Sequence, residues 1–221
     1  MNKLVLIGTK HQEDGLINSN ELLKIIDKIN PTVVFEEIPP SFHDLYYRSK
    51  ERSNLESKAI INYLVHHTVK QIPVDYYNIP NSFFENTGKV HEIVERRSYT
   101  YRDLIDHNKR MAAKNGFKYL NSEDYERIEY EINTEILDVV KLINDKRYSE
   151  YWNTWLEIEQ IRENKMLDTI YEYSMVNQYD IGVFFIGAGH RKSIISKIKN
   201  RSIIKNDSMK WEYNNYNNLL E

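Results

Sequence analysis

The sequence predicts an α/β fold: a mainly parallel sheet with flanking helices and a long helical insertion or cap. Three observations lead there. Short apolar, often β-branched runs at 4–7, 33–35, 72–74 and 181–186 each end at a glycine or a charged residue, the pattern of strands buried on both faces. Helix-forming sequence separates the first three, and strand alternating with helix is the signature of a parallel sheet. From about 83 to 178 the chain is long, charged and helix-forming with no convincing strand. The expected organisation is one domain over 1–221 with a helical insertion at about 83–178.

Each element has a local reason. The run Leu4-Val5-Leu6-Ile7 meets Gly8-Thr9-Lys10-His11, a buried strand passing into a loop. Asn18 offers a helix N-cap with Glu21 three residues later; Leu22, Leu23, Ile25, Ile26 and Ile29 follow at helical spacing, and Pro31 closes the helix. Thr32-Val33-Val34-Phe35 is the second strand and runs into Glu36-Glu37. After Pro39-Pro40 a long helical stretch is expected to reach Lys70, and Gln71-Ile72-Pro73-Val74 reads as a third strand with Asp75 at its end. Within the insertion, Gly116 is expected to cap one helix and Ser122 to open the next. Trp152, Trp155, Ile158 and Ile161 share helical spacing and are expected in the core. Ile181-Gly182-Val183-Phe184-Phe185-Ile186 returns to strand and ends at Gly187-Ala188-Gly189-His190, and Ile194, Ile195 and Ile198 mark a helix after it. Residues 209–213 suggest a last edge strand, followed by a frayed, Asn-rich end.

Composition narrows the function classes. Lys plus Arg is 30 and Asp plus Glu is 33, a net charge of −3, without the basic excess of a nucleic-acid-binding protein. Only 7 Gly and 5 Pro occur, which disfavours linkers and turn-rich β sandwiches. With no Cys, disulfides, zinc–thiolate sites and thiol nucleophiles are excluded. The apolar start is too short for a signal peptide, and no run approaches the ~20 apolar residues of a membrane span. A cytoplasmic protein without membrane or nucleic-acid partners is the expectation. The 17 tyrosines are dispersed and suit half-buried positions.

In open parallel sheets the ligand site lies beyond the carboxyl ends of the strands. Polar residues follow the apolar runs at His11, Glu36-Glu37, Asp75 and His190, and two of these ends share the pattern Gly-x-x-His: Gly8-Thr9-Lys10-His11 and Gly187-Ala188-Gly189-His190. If the first and last of the four strands are neighbours, two imidazoles and a carboxylate converge. Such a set suits Zn, Mn or Fe with open positions, or acid–base work. Glu37 stays beside Glu36 as an alternate, because a one-residue slip reverses which carboxylate faces the site. Other patterns carry less. His91-Glu92-Ile93-Val94-Glu95 lacks the second histidine of a zinc-protease helix and reads as a solvated face, as do Lys192, Lys197, Lys199 and Arg201. His66 and His67 diverge too far on a helix to share a metal. There is no Gly-x-Ser-x-Gly elbow and no P-loop.

These residues resemble a family. Gly8-Thr9-Lys10-His11, Val33-Val34-Phe35-Glu36, Arg162-Glu163-Asn164-Lys165-Met166 and Gly187-Ala188-Gly189-His190 stand in the order found in the TraB/GumN/Tiki group, which is related to the erythromycin-esterase and ChaN-like proteins. The resemblance implies a hydrolase of an amide (peptide) or ester bond, assisted by a divalent metal (Mn, Co or Zn), acting on a peptide or small-molecule substrate. It assigns His11, Glu36 and His190 to metal or acid–base positions, with Glu37 as the alternate carboxylate, and Arg162 to the helix-borne arginine that steadies charge. Arg191 departs from the family, whose members often carry an apolar residue there. A non-catalytic module that binds a peptide, metal or cofactor in the same cleft is the alternative.

Overall fold

The structure, a computed structural model, describes residues 1–76, 79–204 and 209–213. Five strands form one sheet: β1 (Asn2–Thr9), β2 (Val33–Glu36), β3 (Lys70–Pro73), β4 (Ile181–Gly187) and β5 (Met209–Glu212). Their order is β3-β2-β4-β1-β5, and every neighbouring pair is parallel. The predicted α/β class is therefore the observed one, and β5 is the expected edge strand. The Asn-rich end lies outside the described residues. Because β4 enters between β1 and β2, its carboxyl end has a strand terminus on each side. Gly182 sits opposite Leu4 and Val33, where a Cβ would stand 2.8 Å from a Leu4 methyl group.

Side-chain alternation along the strands gives the sheet two apolar faces. Val5, Ile7, Val34, Val183 and Phe185 pack on α1 (Ser19–Ile29), α3 (Leu55–Tyr63) and the end of α5 (Tyr99–Leu120). Leu4, Leu6, Val33, Phe35, Phe184 and Ile186 pack on the second half of α7 (Lys146–Val176) and on α8 (Arg191–Ile204). Asn18 caps α1 by accepting from the Glu21 N–H, as its spacing predicts. The stretch expected as one helix up to Lys70 is instead broken. A 3-10 turn (Pro40–Phe42) leads into α2 (His43–Tyr47), an irregular segment follows, and Asn54 and Ser57 form a capping box that starts α3 afresh.

Between β3 and β4 run α4 (Asn81–Arg97), α5, α6 (Glu123–Ile143) and α7, with no strand among the described residues there. They enclose an apolar cluster of their own that includes Val90, Val94, Ile128, Ile136, Val140 and Trp152. Ser122 opens α6 by accepting from the Tyr125 N–H, as expected. Gly116, with φ 60° and ψ −144°, leaves helical geometry and divides α5 into two helical segments, so the first segment ends at it as expected. Its bend turns Phe117 and Leu120 onto the sheet. Of the tryptophan–isoleucine row, Trp152 is buried while Ile161 is half exposed. Among the described residues no helix is long and apolar enough to cross a membrane.

The Gly116 bend is testable. Its backbone angles are ones that only glycine adopts readily, and a Cβ would stand 3.0 Å from both Cβ and the carbonyl oxygen of Leu16. Gly116→Ala is expected to cost about 1–3 kcal/mol, measured by urea unfolding followed by circular dichroism.

Candidate active site at the carboxyl ends of the strands

The site begins with adjacent glutamates at the end of β2. Residue alternation sends them to opposite faces of the sheet. Glu36 follows Val34 toward the α3 side, where Tyr47 donates to Oε2 and Gln71 donates to Oε1 at 3.2 Å. Burial without a cation pushes its carboxyl up to about 8. Glu37 follows Phe35 toward α7. There Arg162 Nη2 donates to Oε1 at 2.7 Å and the Gly187 N–H donates to Oε2 at 2.6 Å. Burial alone would raise its pKa, but the charges of His190, Arg162 and His11 outweigh this and hold it below the usual carboxylate range. Glu37 thus faces Arg162 and His190, while Glu36 is turned away from His190 and lines a small pocket with His11, Glu37 and Glu56.

Arg162 is the hub. Nε and Nη2 reach the two carboxylate oxygens of Asp75 at 3.1 and 3.0 Å, Nη2 also reaches Glu37, and Nη1 lies 2.9 Å from Glu159 Oε1. All four side chains are nearly out of solvent. Its donors are occupied by carboxylates from β2, from the end of β3 and from its own helix. That is the arrangement of a clamp that fixes carboxylates, rather than of a free donor for an oxyanion.

His190 stands in a 3-10 turn (Ala188–His190) after β4. Its Nδ1 is 2.9 Å from Glu163 Oε1; its Nε2 is 3.2 Å from Glu159 Oε2 and 3.5 Å from Glu37 Oε1. Burial opposes its charge, yet Glu37, Glu163 and Glu159 raise its pKa to about 9. Glu163 also accepts from Ser193 and from Lys197 Nζ, and with His190 these hold it low against the effect of burial. Glu159 was not singled out from sequence, and Glu163 entered only as part of the Arg162–Met166 motif, without a role of its own. Their signal is the spacing Glu159-x-x-Arg162-Glu163, which puts all three on one helix face.

His11 is at the margin. Its Nδ1 lies 3.1 Å from Glu56 Oε1, and that hydrogen bond lifts its pKa to about 9. Its side chain is 53% exposed. Because β1 and β4 are adjacent, Glu37 feels the charge of both histidines, but their hydrogen-bonding carboxylates differ. Glu56 accepts from the Thr9 hydroxyl on the oxygen that meets His11, while its Oε2 is buried without a partner.

Three further expectations are settled by geometry. Arg191 is buried, pairs with Glu126 and donates to the Tyr213 carbonyl, so it ties α8 to α6 and to the segment after β5. His91 is not on a solvated face: Nδ1 lies 2.9 Å from the Tyr101 hydroxyl, and its ring meets Trp152 edge-on. Lys197 and Arg201 hold Glu163 and Asp168 rather than standing free in solvent.

The Arg162 guanidinium already lies among Glu37, Asp75 and Glu159, the place a divalent metal would take among those carboxylates. Among the described residues, no three His, Asp or Glu side chains form a metal-holding group. A cavity of about 430 Å³ opens from His190, Glu159 and Glu163 into the helical insertion. No family model, no curated protein and no solved structure matches the chain.

Two stability predictions follow from the clamp. Arg162→Ala leaves three buried carboxylates without their cation and is expected to cost about 3–5 kcal/mol in denaturant unfolding at neutral pH. His190 has a folded pKa of about 9 against 6.5 unfolded, so its contribution is complete below about 6.5 and is lost as pH rises through about 9. Wild-type stability should decline across that window, and His190→Gln should flatten the decline in unfolding curves taken at stepped pH.

Proposed function

We propose that this chain is a hydrolase of an amide or ester bond in which His190 handles the proton. The observation that supports this best is the placement of that imidazole. It stands at a strand end with a carboxylate within reach of each ring nitrogen, at the inner end of a cavity of small-molecule size. Attack of water on a carbonyl needs one group to take a proton from the water and another to give one to the leaving oxygen or nitrogen. At neutral pH His190 is charged and gives the proton; Glu159, whose Oε2 faces Nε2, takes one from water. Glu37 and Arg162 position this pair, since Arg162 holds Glu159 and Glu37 together. His11 lies beyond Glu37 and acts on the site through charge.

The resemblance to the TraB/GumN/Tiki group rests on the same strand-end residues and adds support for hydrolysis of a peptide or ester link. A metal-assisted form, with Mn, Co or Zn, requires Arg162 to leave its carboxylates and the histidines to lose their protons. A non-catalytic binding module is a second reading, favoured by the full occupancy of the Arg162 donors.

The test is turnover of a panel of nitrophenyl esters and amino-acid anilides by tag-free protein. His190→Gln should lower kcat by about 10²–10⁴ with the circular dichroism spectrum unchanged. The wild-type rate should fall as pH rises through about 9, where His190 loses the proton it donates. No turnover on the whole panel favours the binding reading. Loss of activity with a chelator and its return with Mn, Co or Zn favours the metal form.

A further inference from the structure

The cavity at His190 is walled by the insertion rather than by the sheet. Ile105 from α5, Ile132 and Ile136 from α6, and Trp152, Trp155 and Leu156 from α7 give it a mostly apolar lining. Trp152 and Trp155, which stack on each other with centroids 4.6 Å apart and planes within 12°, both line the wall. At about 430 Å³ the space falls within the ~300–1,000 Å³ range of small-molecule sites. An extended peptide backbone is normally read by adding a strand to a sheet edge. The edges here, β3 and β5, are separated from His190 by at least one strand.

The charges at the polar end narrow the ligand further. Glu129, Glu159 and Glu163 line the cavity, and neither Lys nor Arg does. An anionic ligand would therefore meet carboxylates. A cationic ligand would have to displace partners already seated on these carboxylates. Glu159 is held by Arg162 and His190, and Glu163 by His190 and Lys197. Glu129 accepts from Asn108 while burial raises its pKa.

We infer that the cavity takes an uncharged molecule with a flat, apolar ring system, bound between the tryptophan pair and the α5–α6 wall with a carbonyl at His190. The carbonyl end rests on the hydrolase reading; the ring end rests on the wall. A bulky ring next to the reacting bond is then the specificity element, and the insertion supplies it.

The experiment uses a dimethylamino-naphthyl ethyl ketone, an uncharged probe that has no bond to hydrolyse and emits further to the blue in apolar surroundings. Titrated into the full chain it should show a saturable blue shift, with the corresponding naphthoate carboxylate binding about tenfold more weakly or worse. Asn133→Trp and Ile105→Trp fill the cavity from α6 and α5 at half-buried positions, and each should weaken the ketone about tenfold or more. Should either variant misfold, light-driven crosslinking of a benzophenone to the wild-type chain serves instead, with attachment expected on α5, α6 or α7 at the cavity. No saturable shift, equal binding of the carboxylate, filled variants that bind as well as wild type, or crosslinks elsewhere would overturn the assignment. Ketone binding here without turnover of any ester or anilide sinks the hydrolase reading and leaves the ring site standing. Turnover of small esters without ketone binding sinks the ring site alone.

Discussion

Arg162 reaches three carboxylates that come from three places in the chain: Glu37 after β2, Asp75 after β3 and Glu159 one helical turn earlier on α7. Like charges this close and this buried repel strongly, and the guanidinium between them makes their assembly tolerable. The consequences spread outward. Glu37, fixed by Arg162, uses its other oxygen to accept from the Gly187 N–H and so sets where β4 ends. Glu159 accepts from the same cation on both oxygens, at 2.9 and 3.0 Å, and its Oε2 also meets His190. The position of the imidazole is therefore set in part by the ion cluster, two of whose carboxylates lie within 3.5 Å of its Nε2.

The same logic explains why two neighbouring glutamates differ in charge state. Glu36 and Glu37 are equally buried in effect, but only one faces a cation. On the α3 side Glu36 has Tyr47 and Gln71 as neutral donors, and burial keeps its proton on to about 8. On the α7 side Glu37 is ionised between Arg162 and His190. Strand alternation, a purely geometric property, thus gives the two carboxyls different partners and different charge states.

Much of the sheet was legible because buried parallel strands are written as unbroken apolar runs, and four such runs led to β1, β2, β3 and β4. The register choice between Glu36 and Glu37 was not, since both follow the same run and only packing against α7 separates them. Glu159 and Glu163 were hidden for a different reason. On a helix rich in charge, a buried carboxylate is indistinguishable from a solvated one until the face that meets the sheet is known. The break before α3 was missed because polar residues around Asn54 continue a helical pattern, while the capping box that ends it needs geometry to recognise. The cavity could not be read at all, because its wall is assembled from three helices far apart in sequence.

At 31 residues α7 is about 46 Å long at ~1.5 Å per residue. Its first half carries Trp152 and Trp155, its middle carries Glu159, Arg162 and Glu163, and its last third lays Met166, Leu167 and Ile170 on the sheet. The three stations are phased by one unbroken helix, in which each residue advances the face by about 100°. Substitutions can accumulate at each station separately, but a single inserted or deleted residue between Trp155 and Glu159 would swing the aromatic wall a quarter-turn away from the ion cluster. A change of length inside α7 would therefore separate wall from cluster, whereas a change of length in the turns at its two ends would leave their phase intact.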